Sequence, residues 1–411
     1  MVPSIGIVGC GVAGLHLGLL LRQHDISVTL YGDKTADQIA GGRLPNTVAH
    51  HDTTLERERR LGVCDHWDPA EYGYVCHHHY IGGPEPLVFR GDFTAPSRAV
   101  DYRLYLPALL ADFQDRGGRF EVRSVQAADI EELSRRHDLI VIAAGRGSLG
   151  DMFPRRADKS PYDTPQRKLC VGLYHGVAPS EPKGVTISVA PGQGELLEIP
   201  IYSFDGHVTA LLFENVPGGD LESLASERYD DDPAAFEKLV LTKLRQHHPK
   251  TFERVEPNEL GLTRPEDLLQ GALVPTVRDD YVRLPGGTFA ICVGDVHTLV
   301  DPMMGQGANS ASYSAWVLGE AIIEDLGLDE RLCHKVATRR SDRVMSISDW
   351  TNFMLQVPPA PHLLKLFGAM AHSKSAADAF TNNFNEPERQ WDILATPERT
   401  HTFLAAHGAT D

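Results

Sequence analysis

The chain has 411 residues, of which 42% are hydrophobic and 23% are charged, and its formal net charge is -17 at pH 7. That length and apolar content are sufficient for a large core and for two or three domains. The negative charge disfavours nucleic acid and anionic membrane surfaces as partners and favours a small neutral or apolar ligand.

The first predicted elements form a βαβ unit. Ser4-Ile5-Gly6-Ile7-Val8 is typical of a strand, residues 15–21 continue as an apolar helix, and Ser27-Val28-Thr29-Leu30-Tyr31 indicates a second strand. The turn between strand and helix is Gly9-Cys10-Gly11-Val12-Ala13-Gly14. Gly9 permits a tight turn, Gly11 lets the backbone approach a pyrophosphate, and Gly14 lets helix and strand pack closely. The turn therefore predicts dinucleotide binding, and a tight turn without a ligand is the alternative.

The acid that usually binds the ribose would fall near the end of the second strand. Tyr31 occupies that place, with Asp33 two residues on. Asp33 is the candidate for the ribose hydroxyls, and a solvated turn aspartate is the alternative.

The apolar helix at residues 15–21 is much shorter than the about 20 residues needed to cross a bilayer. No basic stretch with a cleavable apolar segment follows Met1, so the expected compartment is the cytoplasm. The six cysteines include no Cys-x-x-Cys pair. We expect them to be reduced, without a disulfide framework or a zinc site.

Strand-like stretches in the middle of the chain, separated by Pro and Gly turns, predict an antiparallel sheet for the substrate. They are residues 72–80, 87–89, 185–189, 195–199, 201–204 and 207–213. His77-His78-His79 invites a metal interpretation, but strand neighbours point to opposite faces and no nearby carboxylate or cysteine pattern completes a site. No metal is expected. Residues 233–247 and most of 328–380 have helical character, with a break at Val357-Pro358-Pro359-Ala360-Pro361.

A second motif decides which dinucleotide is bound. After the strand at residues 289–293 come Gly294-Asp295, Asp301-Pro302 and Gly305-Gln306-Gly307-Ala308-Asn309, followed by a helix. This arrangement resembles the second fingerprint of the aromatic-hydroxylase-like flavoprotein monooxygenases. The resemblance implies that Asp295 binds the ribityl chain of FAD and that the Gly-rich turn presents N–H groups to the pyrimidine edge of the flavin. A helix N-terminus there would stabilise the negative charge of a reduced flavin.

The middle motif of that family is altered in this chain. Asp138-Leu139-Ile140-Val141-Ile142-Ala143-Ala144-Gly145-Arg146 has its strand and closing glycine, but Ala144 replaces the usual aspartate. A second βαβ unit that opens with such a glycine turn, as a nicotinamide domain would supply, is also not recognised in the sequence. Together these features favour an enzyme that receives its flavin already reduced.

These motifs predict an α/β protein with a Rossmann-like FAD-binding domain of the aromatic-hydroxylase type, an antiparallel β-sheet substrate domain and a helical C-terminal region. The FAD-binding domain is expected to be discontinuous, at residues 1–64, 97–167 and 275–325. The substrate domain is expected at 65–96 and 168–274, and the helical region at 326–411.

Several longer runs resemble the oxygenase component of two-component styrene monooxygenases over nearly the whole chain. They are Gly14-Leu15-His16-Leu17-Gly18-Leu19, Asn46-Thr47-Val48-Ala49-His50, Ala95-Pro96-Ser97-Arg98-Ala99-Val100-Asp101-Tyr102-Arg103-Leu104-Tyr105, Pro191-Gly192-Gln193-Gly194-Glu195-Leu196, Asp301-Pro302-Met303-Met304-Gly305-Gln306-Gly307-Ala308-Asn309 and Asn383-Phe384-Asn385-Glu386-Pro387-Glu388-Arg389-Gln390-Trp391-Asp392. The resemblance implies an enzyme that takes reduced FAD from a separate NADH-dependent flavin reductase. It would react the flavin with O₂ to a C4a-hydroperoxide and epoxidise styrene or a related small apolar vinyl arene. A homodimer is left open.

The resemblance also implies site residues. The set that distinguishes the styrene type from the related indole monooxygenases is Asn46, Val48, His50, Tyr74, His77 and Ser97. Val48 and Pro302 are expected to wall the substrate, and Pro45 departs from an expected leucine. Arg43 and Arg98 are predicted to contact the phosphates or ribityl hydroxyls of FAD, with a surface ion pair as the alternative.

Three alternatives stay open on the sequence alone. One is an indole monooxygenase, one is a single-component aromatic hydroxylase that uses NAD(P)H itself, and one is a protein that carries FAD without oxygenating a substrate.

Overall fold

A computed structural model describes residues 3–144 and 147–409. The first of its two large sheets has six strands, five of them parallel, and the order is Tyr281–Arg283, Phe289–Cys292, Leu139–Ile142, Ser4–Val8, Ser27–Gly32 and Arg119–Val122. The edge strand Tyr281–Arg283 is the antiparallel one. Because the carboxyl ends of parallel strands meet at one edge, the glycine motifs that follow three of these strands converge there.

Apolar helices cover this sheet. Val12–Gln23 and Gly307–Glu324 lie so close that a Cβ on Gly319 would be 2.5 Å from Leu20. Both helices belong to the largest core cluster, together with Tyr102–Asp115. The predicted Rossmann-like layer is therefore confirmed.

The second large sheet is mainly antiparallel. Its order is Gly261–Leu262, Lys168–His175, Gly206–Asn215, Gly194–Ser203, Gly184–Ala190, Gly73–Ile81, Leu87–Ala99 and Ala49–His50, with Leu268–Ala272 also paired to Lys168–His175. One pair differs from the prediction, because Gly73–Ile81 and Gly184–Ala190 run parallel. A small third sheet pairs Thr276–Val277 with Thr298–Leu299.

The stretches predicted as two strands at 195–199 and 201–204 form one strand, Gly194–Ser203. Pro200, which separates them in sequence, lies opposite Thr209. The pairing with Gly184–Ala190 ends at Glu198, so Pro200 has a paired strand on one side only. Proline is tolerated there because its missing N–H breaks no ladder bond.

The remaining helices fall between the strands and in the C-terminal region. They are Ala36–Ala40, Asp52–Leu61, Pro69–Tyr72, Ile130–Ser134, Ser223–Ser226, Pro233–His247, Pro249–Phe252, Glu330–Met354, Pro361–Met370, Lys374–Asn382, Pro387–Leu394 and Pro397–Ala406. The prediction that the C-terminal region is helical is confirmed. The C-terminal helices form their own core around Trp350. Among the described residues, no helix is both long and apolar enough to span a membrane.

All six strands of the first sheet lie inside the segments predicted for FAD binding. The second sheet lies mostly in the segments predicted for the substrate, but Ala49–His50 and the end of Leu87–Ala99 extend into the other set. The domain bounds themselves stay a prediction.

Candidate active site

The glycines of the first turn serve two different purposes. Gly9 has φ +114°, a left-handed conformation, and a Cβ there would lie 2.6 Å from the backbone of Ala143. A Cβ on Gly14 would lie 1.9 Å from the carbonyl oxygen of Gly9. A Cβ on Gly11, in contrast, would meet no atom within 4 Å. Packing therefore requires Gly9 and Gly14, whereas Gly11 borders open space.

That open space lies at the N-terminus of Val12–Gln23. Gly11 is the N-cap, no side chain caps the helix, and no acid occupies its first turn. The first N–H groups of a helix have no partner within the helix and attract anions. The side chains of Val12 and Ala13 are buried, so these residues offer only their backbone. The turn fits the pyrophosphate of FAD.

The second motif lies directly against the first. Gly294 follows the strand Phe289–Cys292 and has φ +67°. A Cβ on Gly294 would lie 3.4 Å from Cβ of Ala13 and 3.5 Å from Cβ of Ala311. The first turns of two helices thus meet around Gly294, and the adjacent Asp295 is exposed. Two motifs nearly 300 residues apart in sequence thus lie side by side, as one extended cofactor requires. We use the word groove for the open faces at Gly11, Gly305 and Gly307 taken together.

The loop 301–307 forms the third side of this groove. Asp301 accepts a hydrogen bond from the Met303 amide at 3.2 Å and so caps the short turn Pro302–Met304. Gly305 has φ +60°, and neither Gly305 nor Gly307 would bring a Cβ within 4 Å of another atom. The helix Gly307–Glu324 therefore begins at an open face, which fits the predicted contact with the flavin pyrimidine.

The polar side chains of that loop and of the helix start that follows it face the protein. Asn309 accepts hydrogen bonds from the His51 amide at 3.1 Å and the Thr54 hydroxyl at 2.7 Å, and it donates to the Ala49 carbonyl at 3.0 Å. Gln306 is buried and donates to the Phe384 carbonyl, and Ala308 is also buried. These side chains anchor the loop, and only their backbone can face a cofactor.

Tyr31 does not take the place of the ribose-binding acid. Its side chain is 1% exposed, and its hydroxyl lies 2.8 Å from Nε2 of His137. Its carbonyl accepts the Gly9 amide at 2.8 Å, so the residue supports the turn from behind. Asp33 is exposed beside Cys10. Burial and the Asp33 charge together raise the pKa of the Cys10 thiol to about 11. Asp33 therefore stays the candidate for the ribose.

The two arginines predicted to contact FAD are occupied by acids. Arg43 forms an exposed ion pair with Asp230 at 3.2 Å, which is the alternative raised for it above. Arg98 is 1% exposed, pairs with Glu58 and donates to the Trp67 carbonyl at 2.6 Å. Arg98 is therefore enclosed by protein groups and borders no open space in the flavin-free protein, and its contact with FAD stays a prediction.

Three predicted substrate-side residues, Asn46, Val48 and Pro302, are half-buried. Oδ1 of Asn46 is enclosed but accepts no hydrogen bond from the described residues, so it is a free acceptor. Ala143 and Ala144 of the middle motif are half-buried as well, while Gly145 and Arg146 lie outside the described ranges.

Three further predicted residues, Tyr74, His77 and Ser97, belong to an aromatic cluster. We define it as Tyr74, His77, Ser97, His51, Phe93 and Phe384. The rings of Phe93 and Phe384 lie edge-on to His77, at centroid distances of 4.7 and 4.6 Å. Ser97 hydrogen bonds to Nδ1 of His51 at 2.9 Å and to the Tyr74 hydroxyl.

The aromatic cluster carries no charge. Burial lowers the pKa of His51 to about 3 and the pKa of His77 well below its usual value, so both rings are neutral at pH 7. Tyr74, His77 and Ser97 are at most 2% exposed. They form a closed apolar wall rather than an open surface. The ring centroids of His77 and His79 are 6.2 Å apart. Among the described residues, no three His, Cys, Asp or Glu side chains come together as a metal site would need.

His50 lies in a different environment from the aromatic cluster. Its Nδ1 lies 2.6 Å from Glu58 and its Nε2 lies 2.8 Å from the Tyr102 hydroxyl. Tyr105 donates to the same carboxylate at 2.8 Å, and Arg98 pairs with it. Burial alone would raise the pKa of Glu58, but Arg98 and His50 outweigh it and lower the pKa to about 2. His50 and Arg98 thus belong to one buried network centred on Glu58.

The sequence interpretation missed four of these residues. Glu58 lies in Asp52–Leu61, a helix so rich in charge that it is typical of a solvent-facing one. His51 and Phe93 neighbour predicted residues or strands, and Phe384 lies in the quoted run 383–392. The resemblance of that run to the styrene monooxygenases could have identified Phe384 as a site residue. No local sequence pattern indicates that Glu58 is buried.

Comparisons with known proteins agree on one family. Residues 145–254 match the sequence profile described as "Styrene monooxygenase A putative substrate binding domain". Styrene monooxygenase StyA from Pseudomonas fluorescens and StyA from a Pseudomonas species are each 49% identical to this chain over 402 residues, which is 97% of this chain and 97% of each relative.

A solved structure shares the fold at much lower identity. The flavin-dependent brominase Bmp2 superposes with a TM-score of 0.65 at 15% identity, covering 95% of this chain and 99% of the brominase. At that identity the likeness concerns the fold alone.

Proposed function

Because this chain belongs to the styrene monooxygenase family and is an FAD-dependent monooxygenase, we propose that it is the oxygenase component of a two-component styrene epoxidase. The observation that carries the proposal is the 49% identity to StyA over 97% of both chains. The groove formed by Gly11, Gly294 and the loop 301–307 supports it, because it supplies a place for one extended FAD.

The proposal assigns FAD to that groove. Gly11 and the helix start Val12–Gln23 would hold the pyrophosphate, and Asp295 would hold the ribityl chain. The open backbone at Gly305 and Gly307 would face the flavin ring. The helix dipole at Gly307–Glu324 favours the negative charge of a reduced flavin. When bound, the reduced flavin supplies the activation of O₂ and the transfer of one oxygen atom.

We propose that the flavin arrives reduced, from a separate NADH-dependent reductase. Ala144 replaces the aspartate that usually helps with the nicotinamide. Of the two Gly-x-Gly-x-x-Gly runs in the sequence, the one at residues 9–14 opens the long helix Val12–Gln23, whereas the one at 145–150 is followed by the short 3-10 helix Gly150–Met152. These features argue against the single-component hydroxylase. Membership of a monooxygenase family also argues against the hypothesis that the protein carries FAD without oxygenating a substrate.

The side chains of this chain have three tasks in the proposed reaction. Half-buried Val48 and Pro302 wall the substrate beside the flavin, and the aromatic cluster closes the apolar side and excludes water. Positioning an alkene against an electrophilic oxygen needs no acid or base from the protein. The neutral state of His51 and His77 is consistent with that requirement.

His50 has an indirect task in this proposal. It lies in the strand Ala49–His50, directly after Val48, and it is held by Glu58 and Tyr102. The amide of His51 and the carbonyl of Ala49 are both bonded to Asn309, at the start of the flavin helix. His50 is therefore a positioning residue that fixes Val48 relative to the loop 301–307.

The substrate choice between styrene and indole is tested by competition under a constant supply of reduced FAD. Styrene is expected to have the higher kcat/KM, because indole buries an N–H whose lack of a partner costs about 1–3 kcal/mol, roughly a five- to hundredfold discrimination. A clear preference for indole would place the chain in the other branch of the family.

A variant at Asn46 sharpens this test. Among the predicted substrate residues that the structure describes, Asn46 Oδ1 and His77 Nδ1 are enclosed without a hydrogen-bond partner, and Asn46 Oδ1 is the one that is an acceptor in every protonation state. If the indole N–H is satisfied there, Asn46→Val lowers indole conversion more than styrene conversion. Equal losses of indole and styrene conversion would instead indicate that Asn46 Oδ1 accepts a hydrogen bond from the flavin.

A further inference from the structure

Two buried carboxyl groups lie behind the flavin loop, at a place that the proposed function does not use. Asp301 begins the loop 301–307, and Glu214 lies on the strand Gly206–Asn215 of the second sheet. Their side chains lie within hydrogen-bonding reach of each other. Asp301 is 1% exposed and Glu214 is 0% exposed.

A carboxylate is only an acceptor, so two carboxyl groups can hydrogen bond only when one of them carries a proton. No N–H or O–H group of any other described residue donates to either oxygen of Glu214 or to Oδ2 of Asp301. Oδ1 of Asp301 accepts the Met303 amide. A single proton between the two side chains is the arrangement that satisfies this geometry.

We propose, on the basis of the function proposed above, that Asp301 and Glu214 share one proton and that this bond positions the flavin loop 301–307 against the second sheet. Asp301 immediately precedes Pro302, and its carboxylate caps the turn that leads to Gly305 and the flavin helix. The bond therefore joins the sheet assigned to the substrate to the backbone assigned to the flavin.

The surroundings indicate where the proton resides. Glu195, opposite Glu214 on the neighbouring strand, accepts two hydrogen bonds from Arg167, at 2.7 and 3.0 Å, although burial and the Asp301 charge still raise the pKa of Glu195. The charged groups close enough to shift the pKa values of the pair are Arg167 and Glu195. Burial and the Asp301 charge in turn raise the pKa of Tyr162. Because Arg167 already has a carboxylate partner, it cannot fully neutralise a second one.

Burial raises the pKa of Glu214 well above its usual value, and the Asp301 carboxylate raises it further. Burial also raises the pKa of Asp301, whereas the bonds from Glu214 and Met303 act in the opposite direction. The proton therefore lies on Glu214, and the pair titrates as a unit.

This arrangement predicts the pH dependence of stability with a definite sign. The folded protein keeps the proton at a pH where the unfolded chain has lost it, so stability falls as pH rises between the ordinary pKa of 4.5 and the raised pKa of the pair. One proton corresponds to a roughly tenfold change in the unfolding equilibrium constant per pH unit. Above the raised pKa, two carboxylates repel each other and the loop loses its anchor.

The test compares flavin-free wild type with Glu214→Gln in thermal unfolding from pH 5.5 to 9.5. The glutamine amide donates a hydrogen bond to Asp301 but does not titrate, so we expect its profile to lack the one-proton slope and to cross above the wild type at alkaline pH. Asp301→Asn, which keeps the capping oxygen and donates to Glu214, serves if the first variant does not fold. Glu198→Gln, at a buried glutamate paired with Arg254 in the same sheet, is the matched control and should keep the slope.

A second measurement tests the role in the loop. The affinity for oxidised FAD, followed by flavin fluorescence, should weaken with rising pH in wild type and stay level in Glu214→Gln. Parallel unfolding profiles for wild type and Glu214→Gln would overturn the shared proton. Different unfolding profiles with parallel FAD affinities would overturn its role in positioning the loop. Neither result depends on whether styrene is the substrate.

Discussion

Gly11→Val is expected to abolish FAD binding while leaving the flavin-free protein folded. A side chain at this position meets no atom of the protein within 4 Å, and its backbone, at φ -80° and ψ -170°, is one that valine adopts readily. The fold therefore has no reason to change. The branched side chain instead fills the space that the pyrophosphate needs.

The loss of affinity should be large. Displacing the pyrophosphate costs at least two hydrogen bonds to a charged group at about 1.5–3 kcal/mol each, which is on the order of hundredfold or more in affinity. Flavin fluorescence measures the affinity, and thermal unfolding of the flavin-free protein measures the fold.

Gly14→Ala is the matched contrast for Gly11→Val. Its Cβ would lie 1.9 Å from the Gly9 carbonyl oxygen, so this smaller change should lower the thermal stability of the flavin-free protein. Unaltered FAD affinity in Gly11→Val would show that the cofactor does not lie at this turn.

Glu58→Leu is expected to be strongly destabilising. The variant leaves Arg98 buried without its carboxylate and removes a partner from His50 and Tyr105. Breaking one side of a buried ion pair costs about 3–5 kcal/mol. Because the folded pKa of Glu58 is lowered from 4.5 to about 2, this contribution is fully present above pH 4.5 and is lost as pH falls toward 2.

The double variant Glu58→Leu with Arg98→Met separates charge from packing. Removing both charges takes away the unpaired guanidinium, so chemical unfolding should show that the double variant recovers part of the stability lost in the single one. A single variant as stable as wild type would show that the Glu58 network does not support this part of the fold.

Local signals were sufficient for much of the fold. The helix Pro233–His247 agrees with its predicted bounds because Asp232 caps it and proline occupies its first turn. The first βαβ unit was equally readable, since the left-handed φ of Gly9 and the contact of Gly14 with the Gly9 carbonyl oxygen both arise within the unit itself. The proximity of the two glycine motifs could also be predicted, because the carboxyl ends of parallel strands lie at the same edge of a sheet.

Long-range pairing explains what the sequence could not predict. Arg98 was assigned to the cofactor because an arginine near a phosphate is chemically sensible, yet its partner, 40 residues away in sequence, lies on a helix with a polar composition. Tyr31 was placed by its position in the motif, but its hydroxyl reaches His137, 106 residues on. Neither contact leaves a periodic or spacing signal, because burial of a polar side chain depends on which distant partner satisfies it.

The central claim is tested most directly by measuring styrene oxide formation with purified protein, O₂ and styrene under two supplies of electrons. In one, FAD and NADH are added without a reductase; in the other, reduced FAD is provided chemically or by an NADH-dependent flavin reductase. The account predicts epoxide only with reduced FAD and negligible NADH oxidation by the protein alone. Rapid, styrene-dependent NADH consumption by the pure protein would contradict it.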